Sequence, residues 1–188
     1  MTPPPRAPSP VRAAALRRRS RSKVAERAPS HAELVELVQA AGTVADHSGL
    51  QPWRIIEVRG DARLDVGHAI AAAGGAEGDA AAKLALKPLR APLLVAVVLS
   101  PRESRKVPEW EQEAVASGVA HLLSLLLDEA GWGVLWRTGI WTRSPEVAAA
   151  HRLAPGEKLL GWLYVGEPVR DDEKPRKTID AERFVTSL

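Results

Sequence analysis

Cysteine is absent from the 188 residues, and methionine, phenylalanine and tyrosine occur once each. Without thiols there are no disulfides, thiolate zinc sites, iron–sulfur clusters or cysteine nucleophiles. Long hydrophobic runs are also missing: the longest, 91–99 and 119–127, fall well short of the roughly 20 residues that cross a bilayer, which predicts a soluble protein. The N-terminus has no apolar secretory core, so a cytoplasmic location is expected. The five histidines show no H-x-x-x-H or H-E-x-x-H spacing, and no metal site is expected. A P-loop and a G-x-S-x-G elbow are lacking. Gly131-x-Gly133 follows a helical pattern, whereas a dinucleotide fingerprint must follow a strand.

What is present is unevenly spread. Residues 1–27 hold eight Arg or Lys against one Glu, which leaves 18 basic and 22 acidic residues in the remainder. Such an arm can read as a nucleic-acid contact or a targeting segment. However, five prolines within residues 1–10 fit a disordered tail better, and neither a nucleic-acid nor a membrane partner is expected.

Periodicity outlines one domain. Helix-forming residues run from Val11 to Ser22. Ser30-His-Ala-Glu33 is a capping box opening a second helix that ends near Gly42. Residues 43–52 read as a loop and Trp53–Val58 as a strand. Helices are expected over 61–73 and 76–89, separated by Gly74-Gly75. Pro92–Leu99 is apolar throughout, the pattern of a central strand buried on both faces. Pro108 opens a long helix that stops at Gly131, and its Val/Leu content covers most of its circumference, predicting a buried helix. A strand at Gly133–Arg137, a helix capped by Ser144-Pro145-Glu146 and a strand at Leu159–Val165 follow. This order lacks βα alternation and favours an α+β sandwich. The tail from Asp171 is polar until Phe184-Val185, a segment suited to reaching a partner subunit.

Arg18-Arg19-Ser20 combines planar guanidinium donors with a hydroxyl, groups suited to a phosphate; taken alone it is equally a solvated helix face. His47 lies in a loop entering a strand, a common place for ligand contacts. Glu109, Glu111 and Glu113 sit in the first turns of the long helix, where the helix dipole alone favours them. Six tryptophans are many for this length. Trp53, Trp132, Trp136 and Trp141 are candidates to wall a flat pocket, or simply to fill the core.

Seven pieces in order carry a resemblance. They are Arg18-Arg19-Ser20, Asp46-His47, Gln51-Pro-Trp-Arg54, Arg90-Ala-Pro-Leu93, Lys106-Val-Pro-x-Trp-Glu-Gln-Glu113, Trp136-Arg-Thr-Gly139 and Gly161-x-Leu-Tyr-x-Gly166. Over about residues 14–168 the chain resembles the nitroreductase family in its short, YdjA-like bacterial form. The resemblance implies an α+β three-layer sandwich, with a mixed, mainly antiparallel central sheet flanked by helices and a long buried central helix. It implies a single FMN-binding domain over 14–188 behind a disordered tail, 1–13. It also implies a homodimer with FMN at the subunit interface, touched by both chains.

Carried over by position, Arg18, Arg19 and Ser20 hold FMN, His47 approaches the flavin, and Trp136, Arg137 and Thr138 lie along its ring. Leu126, Leu127, Asp128, Glu129, Ala130 and Gly131 correspond to a stretch assigned to NAD(P). Thr43 stands where relatives carry an FMN-contacting arginine; that loss costs about 1–3 kcal/mol of anion binding if a charged hydrogen bond is removed, and Arg21 or Lys23 is placed to compensate. No catalytic side chain is implied, because the flavin carries the chemistry. The implied activity is NAD(P)H-dependent reduction of a small electron-poor acceptor, such as a nitroaromatic or quinone, by a ping-pong scheme. A flavin-sequestering protein without turnover is the alternative.

Overall fold

The computed structural model describes residues 9–169 and 179–188. Alternation along one strand decides its layering. In β3 (Leu93–Leu99) all seven side chains are fully buried: Leu93, Val95, Val97 and Leu99 face one layer, Leu94, Ala96 and Val98 the other. A strand apolar at every position needs cover on both faces. It is central, paired on one edge with β2 (Trp53–Arg59) and on the other with β5 (Lys158–Pro168), which also pairs with β4 (Gly133–Arg137). A two-residue strand, β1 (Val24–Ala25), pairs with the end of β5. All these pairings are antiparallel; an isolated parallel bridge joins Ser20 to Val134.

Helices α2 (His31–Ala41) and α5 (Glu109–Glu129) cover the first face through Leu34, Ala41, Val119, Leu123 and Leu127. Helices α3 (Ala62–Ala73) and α6 (Pro145–Ala150) cover the second through Val66, Ile70 and Val147, with α4 (Gly78–Ala85) packed on α3. The result is the expected three-layer α+β sandwich. No helix among the described residues is long and apolar enough to cross a membrane.

Several local expectations are corrected. Helix α1 spans Pro10–Arg17, capped by Ser9, so Pro10–Ala13 are helical where a disordered tail was expected; residues 1–8 lie outside the described residues. The helix also stops five residues before Ser22, because Ser20 bridges Val134 and Arg21 N donates to Val134 O at 2.8 Å. Pairing with β4 overrides local helix propensity. The expected helix over 76–89 divides at Pro88 into α4 and a 3-10 turn, Lys87–Arg90, as proline demands. Of the capping box only half forms. Ser30 Oγ accepts from Glu33 N, while the Glu33 carboxylate accepts from Trp132 Nε1 at 2.7 Å.

Helix α5 is not buried all round. Gln112, Val115, Ala116, Val119, Ala120, Leu123, Ser124 and Leu127 form one buried stripe. Ala114 and His121 are exposed, and Gly118, Leu122 and Leu125 only partly covered, giving a largely apolar outer face that the described residues cover only in part. The tryptophans do not share a wall either: Trp53, Trp132 and Trp136 pack on the α2/α5 side, Trp141 on the opposite face.

Candidate functional site

The residues singled out from the sequence gather at two ends of α5. At its C-terminal end, Arg18–Ser20 leaves α1 extended and runs beside β4, tethered by Arg19 N donating to Asp128 Oδ1 at 3.3 Å. This places Arg18, Arg19 and Ser20 against the strand that leads into Trp136, Arg137 and Thr138. The approach of 136–138 to β5 depends on Gly161, whose φ is +142°. A Cβ there would come within 2.4 Å of Arg137 O and 2.8 Å of Trp136 Nε1, so only glycine fits.

Two donors at this end are buried without a protein partner among the described residues, Trp136 Nε1 and Arg137 Nε. Orphaned buried donors are costly and rare, and they mark places where a ligand supplies acceptors. Beside Arg137 lies a cleft of ≈430 Å³ lined by Ser22, Lys23, Val24, Arg90 and Arg137. No ion pair to Lys23, Arg90 or Arg137 exists among the described residues. Arg137 lies 5.1 Å above the Tyr164 ring. Burial pushes the Tyr164 hydroxyl up from its ordinary range, and the nearby Arg137 and Arg90 charges oppose that. Three cations and the orphan Arg137 donor suit an acceptor-rich, phosphorylated group. Lys23 was expected to compensate for Thr43, whereas Arg90 and Gly161 were not singled out individually from the sequence, although both lie in quoted motifs; the convergence of Lys23 and Arg90 on Arg137 is created by long-range strand pairing.

At the N-terminal end of α5, His47 occupies a 3-10 turn, His47–Gly49, with Ser48 at φ 66° and Gln51 at φ 48°. Asp46 holds the turn: its carboxylate accepts from Gln51 N at 2.7 Å and its carbonyl from Gly49 N at 3.0 Å. His47 Nδ1 donates to Glu111 Oε2 at 2.8 Å, since an ionised carboxylate can only accept. Nε2 is left for a ligand. The neighbouring cleft of ≈680 Å³ is lined by Val44, Ala45, Asp46, His47, Trp110, Glu111, Ala114, Val115 and Gly118. Glu111 therefore positions His47, a role beyond the dipole effect expected of it.

Thr43 and the stretch Leu126–Gly131 are engaged in contacts within the chain. Thr43 donates to Ala40 O at 2.8 Å, closing α2, and brings no charge. In the stretch Leu126–Gly131, Leu127 is fully buried in the core and Leu126 packs against it. Asp128 and Glu129 then place negative charge at the negative end of α5, which disfavours the phosphates of a dinucleotide. The site role visible in that stretch is the Asp128 tether to Arg19. Among the described residues no cluster of His, Asp or Glu could hold a metal.

Residues 15–167 match the Nitroreductase family. The chain belongs to the nitroreductase family. It is 33% identical over 174 residues to the "Putative NAD(P)H nitroreductase YdjA" of Escherichia coli K12, covering 91% of this chain and 95% of that one. Identity to a "Putative NAD(P)H nitroreductase" of Haemophilus influenzae is 26%, with the same coverage. The fold is similar to a nitroreductase-like family protein from Bacillus cereus (TM-score 0.82, 20% identity, 98% of this chain and 99% of that chain). It is also similar to a nitroreductase from Desulfovibrio desulfuricans solved in complex with FMN (TM-score 0.71, 21% identity, 97% and 99%).

Proposed function

We propose that this nitroreductase-family chain is an FMN-dependent NAD(P)H oxidoreductase acting on small electron-poor acceptors, and that it works as a homodimer with FMN between the subunits. The observation that carries the reading is the pairing of Ser20 with Val134 on the strand that leads into Trp136–Thr138, more than a hundred residues away in sequence, with a cationic cleft at Arg137. Curated relatives named as NAD(P)H nitroreductases and the FMN-bound structural neighbour support the choice of cofactor and donor.

Bound there, FMN would supply the redox chemistry that couples NAD(P)H oxidation to reduction of a nitroaromatic, quinone or similar acceptor in a ping-pong scheme. Everything else is the chain's contribution. Arg18, Arg19 and Ser20 hold the phosphate and ring-edge oxygens. Trp136 Nε1 and Arg137 Nε offer donors that cost no reorganisation, because they are already desolvated and fixed. Lys23 and Arg90 add positive charge, compensating for Thr43.

Distance supports the dimer. His47 is tied to residue 111 of α5 and Arg19 to residue 128, about 25 Å apart along a helix rising about 1.5 Å per residue. That separation favours a flavin site shared between two chains. A second copy, with its α5 antiparallel to the first, brings the start of one helix to the end of the other. The apolar outer face of α5 beyond the His47 cleft, with the partly covered Leu122 and Leu125, is suited to that contact. Phe184 and Val185 are exposed as well, in keeping with a tail that reaches the partner.

The test is an absorbance spectrum. Purified protein should be yellow, and anaerobic NADH or NADPH should bleach it. Colourless protein that does not take up FMN contradicts the reading. Bound FMN that neither nucleotide reduces favours a flavin-sequestering role instead, which the uncharged Thr43 makes the second reading.

A further inference from the structure

Trp110 is out of place as a packing residue. It sits in the first turn of α5, directly after the Pro108 cap, and 70% of it is exposed. An indole is among the largest apolar groups a chain can bury, and the other five tryptophans are at least partly covered. Trp110 instead lines the cleft that contains His47. The remaining walls, Val44, Ala45, Ala114, Val115 and Gly118, are small and apolar. The polar groups of the cleft are His47, which Glu111 fixes through Nδ1, and Asp46, which adds a second carboxylate. A flat aromatic wall, a small-residue floor and one polar head make a slot for a planar ring with a hydrogen-bonding substituent. Two carboxylates beside one imidazole disfavour an anionic ring.

We propose that Trp110 is the specificity-determining platform for the electron acceptor, stacking an uncharged planar aromatic ring whose polar substituent meets His47. This rests on the flavoenzyme reading above, in which His47 of one chain borders the flavin held mainly by the other. Trp110 lines the same cleft as His47 and Glu111, so on that reading it borders the same flavin. The acceptor is held by stacking and shape; the hydride step stays with the cofactor.

The experiment uses oxidised holoenzyme without a nicotinamide donor, so that acceptors bind and do not turn over. Nitrobenzene and 4-nitrobenzoate are titrated by their perturbation of the flavin absorbance, in wild type, Trp110→Ala and Trp110→Phe. FMN content and sedimentation are measured on the same samples. The expected result is a dissociation constant for nitrobenzene raised about tenfold by Trp110→Ala and largely restored by Trp110→Phe, the loss of one stacking contact. Nitrobenzene should bind more tightly than 4-nitrobenzoate to wild type. Equal affinity in wild type and Trp110→Ala overturns the proposal, as does tighter binding of the anionic ring. If Trp110→Ala sheds FMN or dissociates, Trp110 is a structural residue and the proposal is again overturned. Wild-type protein that holds no FMN defeats the flavoenzyme reading itself, which separates the two failures.

Discussion

Trp162 Nε1 donates to His151 Nε2 at 2.9 Å inside the layer between the sheet and α6, and His151 Nδ1 donates to Val147 O at 2.8 Å. One partner can only donate and the other can only accept, so the pair of bonds requires the neutral imidazole with its proton on Nδ1. His151 is 4% exposed. Burial pushes its pKa below the ordinary histidine value; the Val147 carbonyl opposes this and the Arg54 charge adds to it. The unfolded chain therefore binds more protons than the folded one between the two pKa values, and stability rises with pH across that window. The stabilisation is complete above the ordinary histidine range and is lost as pH falls through the lower folded value. Urea midpoints measured from pH 7.5 down to pH 5 should fall in wild type and fall less steeply in His151→Gln. Parallel profiles would contradict this assignment.

A second acid-sensitive link lies beside the first. Arg54, on β2, donates from Nε to Glu157 Oε1 at 2.7 Å and from Nη2 to Glu157 Oε2 at 2.6 Å, and Ala154 N also donates to Oε2. The Arg54 bonds hold the Glu157 carboxyl down to about 2, against the opposing cost of its burial. A depressed carboxyl stabilises the fold above its unfolded range, near 4.5, and that stabilisation disappears as pH falls toward 2. Arg54→Ala should cost about 1–2 kcal/mol at pH 7, toward the lower part of the range for a charged hydrogen bond because solvent screens the partly exposed arginine. Thermal unfolding at pH 7 and pH 3 checks it: the difference between wild type and variant should shrink at the lower pH.

Thr43 offers a gain-of-binding test. Its hydroxyl closes α2 through Ala40 O and its side chain is exposed, so Thr43→Arg has room and loses one surface hydrogen bond. The variant should bind FMN about tenfold more tightly, the value of a modest charge-assisted contact, as read by quenching of flavin fluorescence. Unchanged affinity would mean that Lys23 and Arg90 already satisfy the phosphate, or that the loop lies away from it. The Lys23→Ala/Thr43→Arg double variant separates these two outcomes.

Much of this fold is legible in the sequence where local composition and tertiary demand agree. The unbroken Leu/Val run of β3 predicts burial on both faces, and the Pro108 and Gly131 boundaries of α5 hold within one or two residues. Legibility fails where a distant partner intervenes. Arg18–Ser20 has helical composition, yet Val134 draws it out straight. Glu33 is placed for a capping box, yet Trp132 takes its carboxylate. The outer face of α5 reads as buried because sequence does not say whether an apolar stripe meets its own chain or another. At the site, motif order identified the Arg18–Ser20 and Trp136–Thr138 segments that the fold brings together. The meeting of Lys23, Arg90 and Arg137 in one cleft needed three separate elements to be placed in space.

The central claim is that each flavin is held by the C-terminal end of α5 from one chain and the N-terminal end from another. Subunit complementation tests it most directly. Arg18→Ala damages one half-site and His47→Ala the other, so each homodimer has two damaged sites and should bind FMN weakly. Unfolded together and refolded as a mixture, the two variants form some heterodimers in which one site has both mutations and the other has neither. With random pairing of a two-fold dimer, about one site in four is intact. Recovery of tightly bound FMN to about that fraction is the predicted result; a mixture that binds no more FMN than its two components would contradict the account.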